Sequence, residues 1–228
     1  MVSIFIRTYR NDLNWLDYCL KSIHKNLTGW DEIVVCIPTG QEHLLSHLTA
    51  EKVVVCKTYR DDYIGQQISK LEAYKHVKGE YVLFVDSDVV FFEGANVLDY
   101  FENNKPVILK DIWANVGDAI CWKPIMERLF KEGIQYEYMR RAPQMFYTST
   151  LINFAYHFSD IENYSTTQPK GQFTEFNFLG YFAEKHEPDS YVFIDLSTGA
   201  AIPINKSRQF WSWSGLTQKE RIELEESI

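Results

Sequence analysis

An apolar run from Tyr81 to Phe92 is broken near its middle by Asp86-Ser87-Asp88, and this break constrains the fold more than any other feature of the chain. The five residues Tyr81-Val82-Leu83-Phe84-Val85 have the length and composition of a buried strand. A buried strand does not carry unpaired carboxylates, because desolvating one costs several kcal/mol unless a cation or hydrogen-bond donors compensate it. The strand must therefore end at Asp86, with two carboxylates facing whatever lies beyond its carboxyl end. Either they meet a ligand, for which a divalent metal bound to a diphosphate is suited, or they form a solvated turn between two strands.

The residues before this point alternate short β-branched runs with amphipathic segments, the pattern of βα units feeding a mostly parallel sheet. Val2 to Ile6 reads as a strand. Asn11 or Asp12 caps a helix whose Leu13, Leu16, Leu20, Ile23 and Leu27 fall at helical spacing, and Thr28-Gly29 ends it. A strand over Glu32 to Ile37, a turn at Pro38-Thr39-Gly40, a short helix over Gln41 to Leu48 and a strand over Lys52 to Cys56 follow. Gly65 precedes a further helical face, Ile68, Leu71 and 74–77, stopped by Lys78-Gly79, and the strand ending in Asp86 is the fourth. Sheets of this kind bind ligands at the carboxyl ends of their strands, where Asp86 and Asp88 would lie.

Beyond Gly94 the pattern weakens. Ala95 to Phe101 reads as helical and Pro106 to Lys110 as a strand, whereas 112–172 is aromatic and irregular and its elements cannot be ordered. Tyr191 to Ile194 and Ala200 to Ile204 suggest two last strands, and Thr217 with Glu220 three residues on caps a terminal helix. With no repeat or low-complexity linker, the expectation is one α/β domain over residues 1–228, a mostly parallel, Rossmann-like sheet flanked by helices with an irregular elaboration.

Composition narrows the function classes. A chain of 228 residues with 46% apolar and 24% charged residues buries a substantial core. No stretch approaches the roughly 20 apolar residues of a membrane span, and the first residues do not form a signal peptide, so the expectation is a soluble, cytoplasmic protein. Cys19, Cys36, Cys56 and Cys121 are widely spaced, without a CxxC pair, and read as reduced core residues. A net charge of −8 gives no general attraction to phosphate backbones, although a local basic groove is compatible with it.

The order of elements, together with Tyr81-Val82-Leu83-Phe84-Val85-Asp86-Ser87-Asp88, resembles the GT-A family of nucleotide-sugar glycosyltransferases, whose apolar strand ends in a DxD motif. The resemblance covers residues 1–110 best, implying a nucleotide-sugar and metal-binding half there and an acceptor-side half over 111–228. It implies that Asp88 ligates Mn²⁺ or Mg²⁺ directly while Asp86 contacts the ribose or the metal's waters; hard oxygen ligands favour those ions. Arg7-Thr8-Tyr9-Arg10-Asn11-Asp12 resembles the family's loop after the first strand. There Thr8 and Tyr9 would meet the base and Arg7 or Arg10 phosphate, although Asn11 and Asp12 are also ordinary helix caps. Gln66, Gln67 and Lys70 resemble a segment in a subset of GT-A-like proteins, a helix opening on a glutamine pair followed by a lysine. The alternative is a solvated helix face capped by Asp61 or Asp62.

In inverting relatives a carboxylate near the start of a late helix acts as base, and the segment around Glu175 is similar to that element. Its aromatic neighbours favour the protonated form of a carboxylate, and a helix-start carboxylate favoured by the helix dipole is the competing explanation. The family's carboxyl-terminal histidine ligand has no counterpart in Arg208-Gln209-Phe210-Trp211-Ser212-Trp213, with His186 the nearest histidine. Trp211 and Trp213 would stack on a sugar or base, close the site as a flap, or pack against the sheet.

The leading expectation is therefore a metal-dependent transfer of a sugar from a nucleotide-sugar donor, a UDP-sugar first, to a hydroxyl of a glycan, a protein or a hydroxymethylated phage DNA base. For the last, Arg140, Arg141, Lys170, Lys206 and Arg208 would have to form a phosphate groove. The alternatives are a sugar-phosphate nucleotidyltransferase, whose glycine- and lysine-rich first loop is missing from Thr8 to Leu13, and a non-catalytic sugar-binding module.

Overall fold

The computed structural model describes residues 1–203, 205–211 and 217–228, and the side chains of these except 226 and 227. Its centre is a five-stranded sheet built from β1 (Val2–Arg7), β2 (Glu32–Pro38), β3 (Lys52–Cys56), β4 (Tyr81–Asp86) and, after β5 (Val89–Phe91) and β6 (Lys105–Ile112), β7 (Gln144–Tyr147). The order across the sheet is β7-β4-β1-β2-β3; β7 runs antiparallel to β4 and the other pairings are parallel.

Alternation along the strands decides which face each residue serves. Val2, Ile4 and Ile6 of β1, with Leu83 and Val85 of β4, pack against Leu16, Cys19, Leu20 and Ile23 of α1 (Leu13–Asn26). Phe5, Val82 and Phe84 point the other way, onto Ile64, Ile68 and Leu71 of α2 (Asp62–Leu71). The same alternation puts Arg7 and Asp86 on the α2 face. Asp61 caps α2, its side chain accepting from the Tyr63 amide at 3.0 Å, so the helix starts three residues before Gly65 and carries that glycine inside it.

The second half completes the α2 face. After α3 (Lys123–Phe130), α4 (Thr148–His157) and α5 (Ile161–Thr166) comes α6 (Glu175–His186), buried along most of its length. Phe176, Phe178, Leu179 and Phe182 of α6 join the core formed by Phe5, Phe84, Phe146 and Phe154. The parallel partner of β6 is β8 (Val192–Asp195), in a smaller sheet, while β9 (Ser207–Gln209) pairs antiparallel with β5. The chain ends in α7 (Gln218–Ser227), where Thr217 and Glu220 form the expected reciprocal cap.

Four expectations need correction. The 41–48 segment forms only a 3-10 turn, Glu42–Leu45, and 95–101 a two-residue strand followed by a 3-10 turn, Val97–Tyr100. Residues 200–203 are irregular; the strand near that point is β9, whose polar side chains give no strand pattern. All four cysteines are free, but Cys121 is exposed rather than in the core. Among the described residues no helix is long and apolar enough to cross a membrane.

The position of α6 depends on one close approach. A Cβ on Gly180 would lie 2.4 Å from Tyr138 Cβ, and Tyr138 is tied to the same helix by its amide to Asn177 Oδ1 (2.7 Å) and its hydroxyl to Glu184 Oε2 (2.5 Å). We predict that Gly180→Ala forces the two segments apart and costs about 1–3 kcal/mol, as overpacking does. Urea unfolding of the variant measures it, and an unchanged midpoint with unchanged slope would contradict this account of how α6 is seated.

Candidate active site

The sheet reverses its winding between β1 and β4: the chain proceeds outward through β2 and β3 and then returns to the far side of β1. At such a switch point a crevice opens beyond the strand ends. Arg7 and Asp86, the last residues of β1 and β4, are direct register partners there. A cavity of about 880 Å³ occupies this place, with the amino-terminal turns of α2 and α6 and the end of β9 around it.

At its floor a buried ammonium joins two carboxylates. Lys70 Nζ lies 2.7 Å from Asp86 Oδ1 and 2.8 Å from Glu175 Oε1, and 4.7 Å from the centroid of the Phe176 ring. Lys70 and Glu175 are almost entirely buried, whereas the Asp86 side chain keeps about 23% of its surface exposed toward the cavity. Burial alone would pull the lysine pKa down; the charges of Asp86 and Glu175 and their hydrogen bonds outweigh it and push it above its ordinary 10.5. Glu175 is thus held in an ion pair, and not alone among aromatic rings as the sequence suggested.

Gln209 bridges the acidic pair. Its Nε2 donates to Asp86 Oδ2 at 3.2 Å and to Asp88 Oδ1 at 3.3 Å, so both carboxylates converge on one atom. Ser87 Oγ donates to Asp12 Oδ2 at 3.3 Å across the mouth of the first loop. Arg7 forms a two-pronged ion pair with Asp62 at the start of α2, Nη1 to Oδ2 at 2.8 Å and Nη2 to Oδ1, and its buried Nε has no hydrogen-bond partner among the described residues. Gln67 Oε1 is likewise buried, with no hydrogen-bond partner among the described residues.

Of the residues expected from the sequence, Arg7, Tyr9, Gln66, Gln67, Lys70, Asp86, Asp88, Glu175 and Trp211 all line this cavity. Thr8 does not: it is fully buried, and its amide is spent on the Cys36 carbonyl at 2.9 Å. Trp211 is half exposed, with a left-handed backbone (φ +57°), and Trp213 lies outside the described residues. His186 sits at the opposite end of α6, about 16 Å along the helix from Glu175 at 1.5 Å per residue, against the rings of Phe182 and His157.

The sequence missed Gln209, Tyr63, Trp122, Met139 and Thr174, which also line the cavity. Gln209 alone carried a signal, standing two residues before Trp211 in a stretch of alternating large side chains. Of the five basic residues considered for a phosphate groove, Lys170 lines the cavity. The others are committed elsewhere: Arg140 to Glu137, Arg208 to Glu223, Lys206 to the Gly94 carbonyl, and Arg141 to the Asp99 carbonyl over the Tyr100 ring.

Two Asp carboxylates aimed at one point form a hard-oxygen donor set of the kind that holds Mg²⁺ or Mn²⁺ together with phosphate oxygens and water. The amino-terminal turns of α2 and α6 border the same cavity, where a helix amino terminus favours an anion, although at α2 the Tyr63 amide is already taken by Asp61.

No family model and no curated protein sequence matches the chain. Among solved structures, the 4-diphosphocytidyl-2C-methyl-D-erythritol synthase of Anaerococcus prevotii DSM 20548 is similar, with a TM-score of 0.52 and 15% sequence identity over 98% of this chain and 94% of that one. At this identity the likeness defines the fold: a Rossmann-like α/β architecture over nearly the whole chain.

Removing the central ammonium should expose how much the site depends on it. We predict that Lys70→Met costs about 3–5 kcal/mol, because it strands a buried carboxylate, and that adding Glu175→Gln recovers part of the loss; a denaturation double-mutant cycle measures the coupling. Since the Lys70 pKa is raised on folding, its stabilisation is complete at neutral pH and declines as pH rises past about 10.5. Unfolding titrations from pH 7 to 11 should show a smaller alkaline loss in the double variant than in the wild type.

Proposed function

We propose that the protein is a transferase acting on a nucleotide-diphosphate donor, and that the group it transfers is a sugar, passed to a hydroxyl. The observation that carries this reading is the convergence of Asp86 and Asp88 on one point at the switch-point cavity, beside two helix amino termini. A leaving diphosphate gathers negative charge on its oxygens, and a site that pairs carboxylates for a divalent cation with helix N–H groups for phosphate suits that charge.

In this scheme Asp88 and Asp86 hold Mn²⁺ or Mg²⁺, which would neutralise the diphosphate as it departs. Tyr9 in the first loop offers a ring to the base, and Gln66, Gln67 and the amino-terminal turn of α2 face the phosphates and sugar. Glu175 takes the proton of the acceptor hydroxyl as its oxygen bonds to the anomeric carbon and the bond to the diphosphate breaks, with inversion. Lys70 fixes the orientation of that carboxylate through Oε1, so its second oxygen is the proton acceptor. Met139, Trp122 and Trp211 border the acceptor side. With four of five candidate basic residues committed elsewhere and a net charge of −8, a glycan or protein hydroxyl is favoured over a base in DNA.

A second reading, nucleotidyl transfer, gains support from the likeness to a synthase whose product bears a diphosphocytidyl group. Against it stands the first loop, which has no glycine from Thr8 to Asp12 and whose Arg7 is tied to Asp62. A panel of nucleotide sugars with Mn²⁺, followed by release of nucleoside diphosphate, separates the two from pyrophosphate release on CTP and sugar phosphates. For sugar transfer, Asp88→Ala should lose at least a hundredfold in turnover, on the order of removing one essential transition-state contact, while circular dichroism stays unchanged. Full activity in that variant would sink the assignment.

A further inference from the structure

Two carboxylates alone make a sparse cation site, and among the described residues no cluster of three His, Cys, Asp or Glu side chains could hold a metal. Among the described residues a further protein ligand comes from another side-chain type, with phosphate oxygens and water filling the remaining positions. We infer that Gln209 is that ligand: its amide closes the acidic pair as a hydrogen-bond donor when no cation is held, and presents Oε1 to the cation when one is. The inference rests on the cation reading of Asp86 and Asp88 given above.

The geometry around Gln209 is that of a built position. Its backbone is the register partner of Val89 in the β5–β9 pair, and the next amide, that of Phe210, donates to the Asp88 carbonyl at 3.0 Å. Phe210 is buried against Trp15, with ring centroids 5.7 Å apart, and packs with Val90 and Leu224. The main chain on both sides of the glutamine is therefore fixed beside the Asp86-Ser87-Asp88 turn. What remains adjustable is the side chain, whose amide nitrogen lies within 3.3 Å of one oxygen from each carboxylate.

The choice of glutamine follows from the two states such a position must serve. Facing two carboxylates with no cation between them, it must donate, and the NH₂ group has one hydrogen for each acid. Facing a cation, it must offer a lone pair, and a half-turn about the last side-chain bond replaces Nε2 by Oε1, a hard amide oxygen of the kind that Mg²⁺, Mn²⁺ and Ca²⁺ accept. A carboxylate here would repel the empty site and a lysine would repel the cation. An amide serves both, and its reorientation links occupancy of the acidic pair to the end of β9, from which Trp211 enters the cavity.

Mn²⁺ titrations of the purified protein, read by the electron paramagnetic resonance signal of the free ion and by the thermal shift it induces, test this with and without UDP. Gln209→Leu should bind Mn²⁺ about tenfold or more weakly than the wild type, the scale of losing one neutral contact to a metal. Gln209→Glu should bind about tenfold more tightly, since affinity grows with the charge of the ligands. Without metal it should unfold at a lower temperature than the wild type, with Mn²⁺ reversing the order. Asp88→Asn serves as the control. If Asp88→Asn loses Mn²⁺ but both Gln209 variants bind like the wild type, Gln209 is no ligand and the cation site stands without it. If the wild type binds no Mn²⁺, or Asp88→Asn binds it unchanged, the cation reading fails and the inference with it.

Discussion

The ammonium of Lys70, held between Asp86 and Glu175, is the contact on which the arrangement of the cavity depends. It joins three elements distant in sequence: the last turn of α2, the end of β4 and the first residue of α6. A charge this deeply buried is tolerated only if it is paired and its hydrogen bonds are met. Two of its donors go to carboxylates, and Phe176 presents a ring nearby. The ion pair therefore demands that α6 begin where it does, and the aromatic core beneath, Phe84 against Phe146 and Phe176, holds α6 in that place. Arg7 with Asp62 repeats the device one strand away, tying the end of β1 to the start of α2.

The part of this that a sequence can carry is the part written in short-range patterns. Alternation in β1 and β4 and the helical spacing of α1 place Arg7 and Asp86 on one face of the sheet, and the same logic puts Lys70 on the turn of α2 that reaches them. The end of the fourth strand is visible because carboxylates cannot continue a buried run. Glu175 is visible as a helix-start acid, but its ion pair is not, because nothing local relates position 175 to position 70.

What could not be read has physical reasons of the same kind. β9 is a three-residue polar strand that exists because β5 offers an edge, so its residues show no periodicity and Gln209 looks like surface. Thr8 reads as a loop residue free to meet a ligand, yet its amide completes the end of the β1–β2 ladder and its side chain is enclosed. In 95–101 a helical spacing of apolar residues is overridden by pairing of Ala95–Asn96 with Leu27–Thr28, and only one turn of 3-10 helix survives. In each case a tertiary partner supplies what the local pattern lacks, or removes what it promises.

The two ion pairs also decide how charge is distributed for chemistry. Arg7 and Lys70 are the cations nearest the strand ends, and both are already balanced by Asp62, Asp86 and Glu175. Neither is a mobile positive charge waiting for a phosphate; each is a fixed strut. Asp88 takes a hydrogen bond from the neutral amide of Gln209, and under the proposed function a diphosphate in this cavity would add negative charge to an already acidic lining. Coulomb repulsion at these separations, even at an effective dielectric near 20, runs to a few kcal/mol for each close pair of like charges. On the proposed reading a divalent cation beside Asp88 would offset it with the struts left in place, as the Gln209 amide turns. The pairing that ties β1, β4, α2 and α6 together thus takes up Arg7 and Lys70, and the other basic side chains that line the cavity, Arg60 and Lys170, stand outside these two pairs.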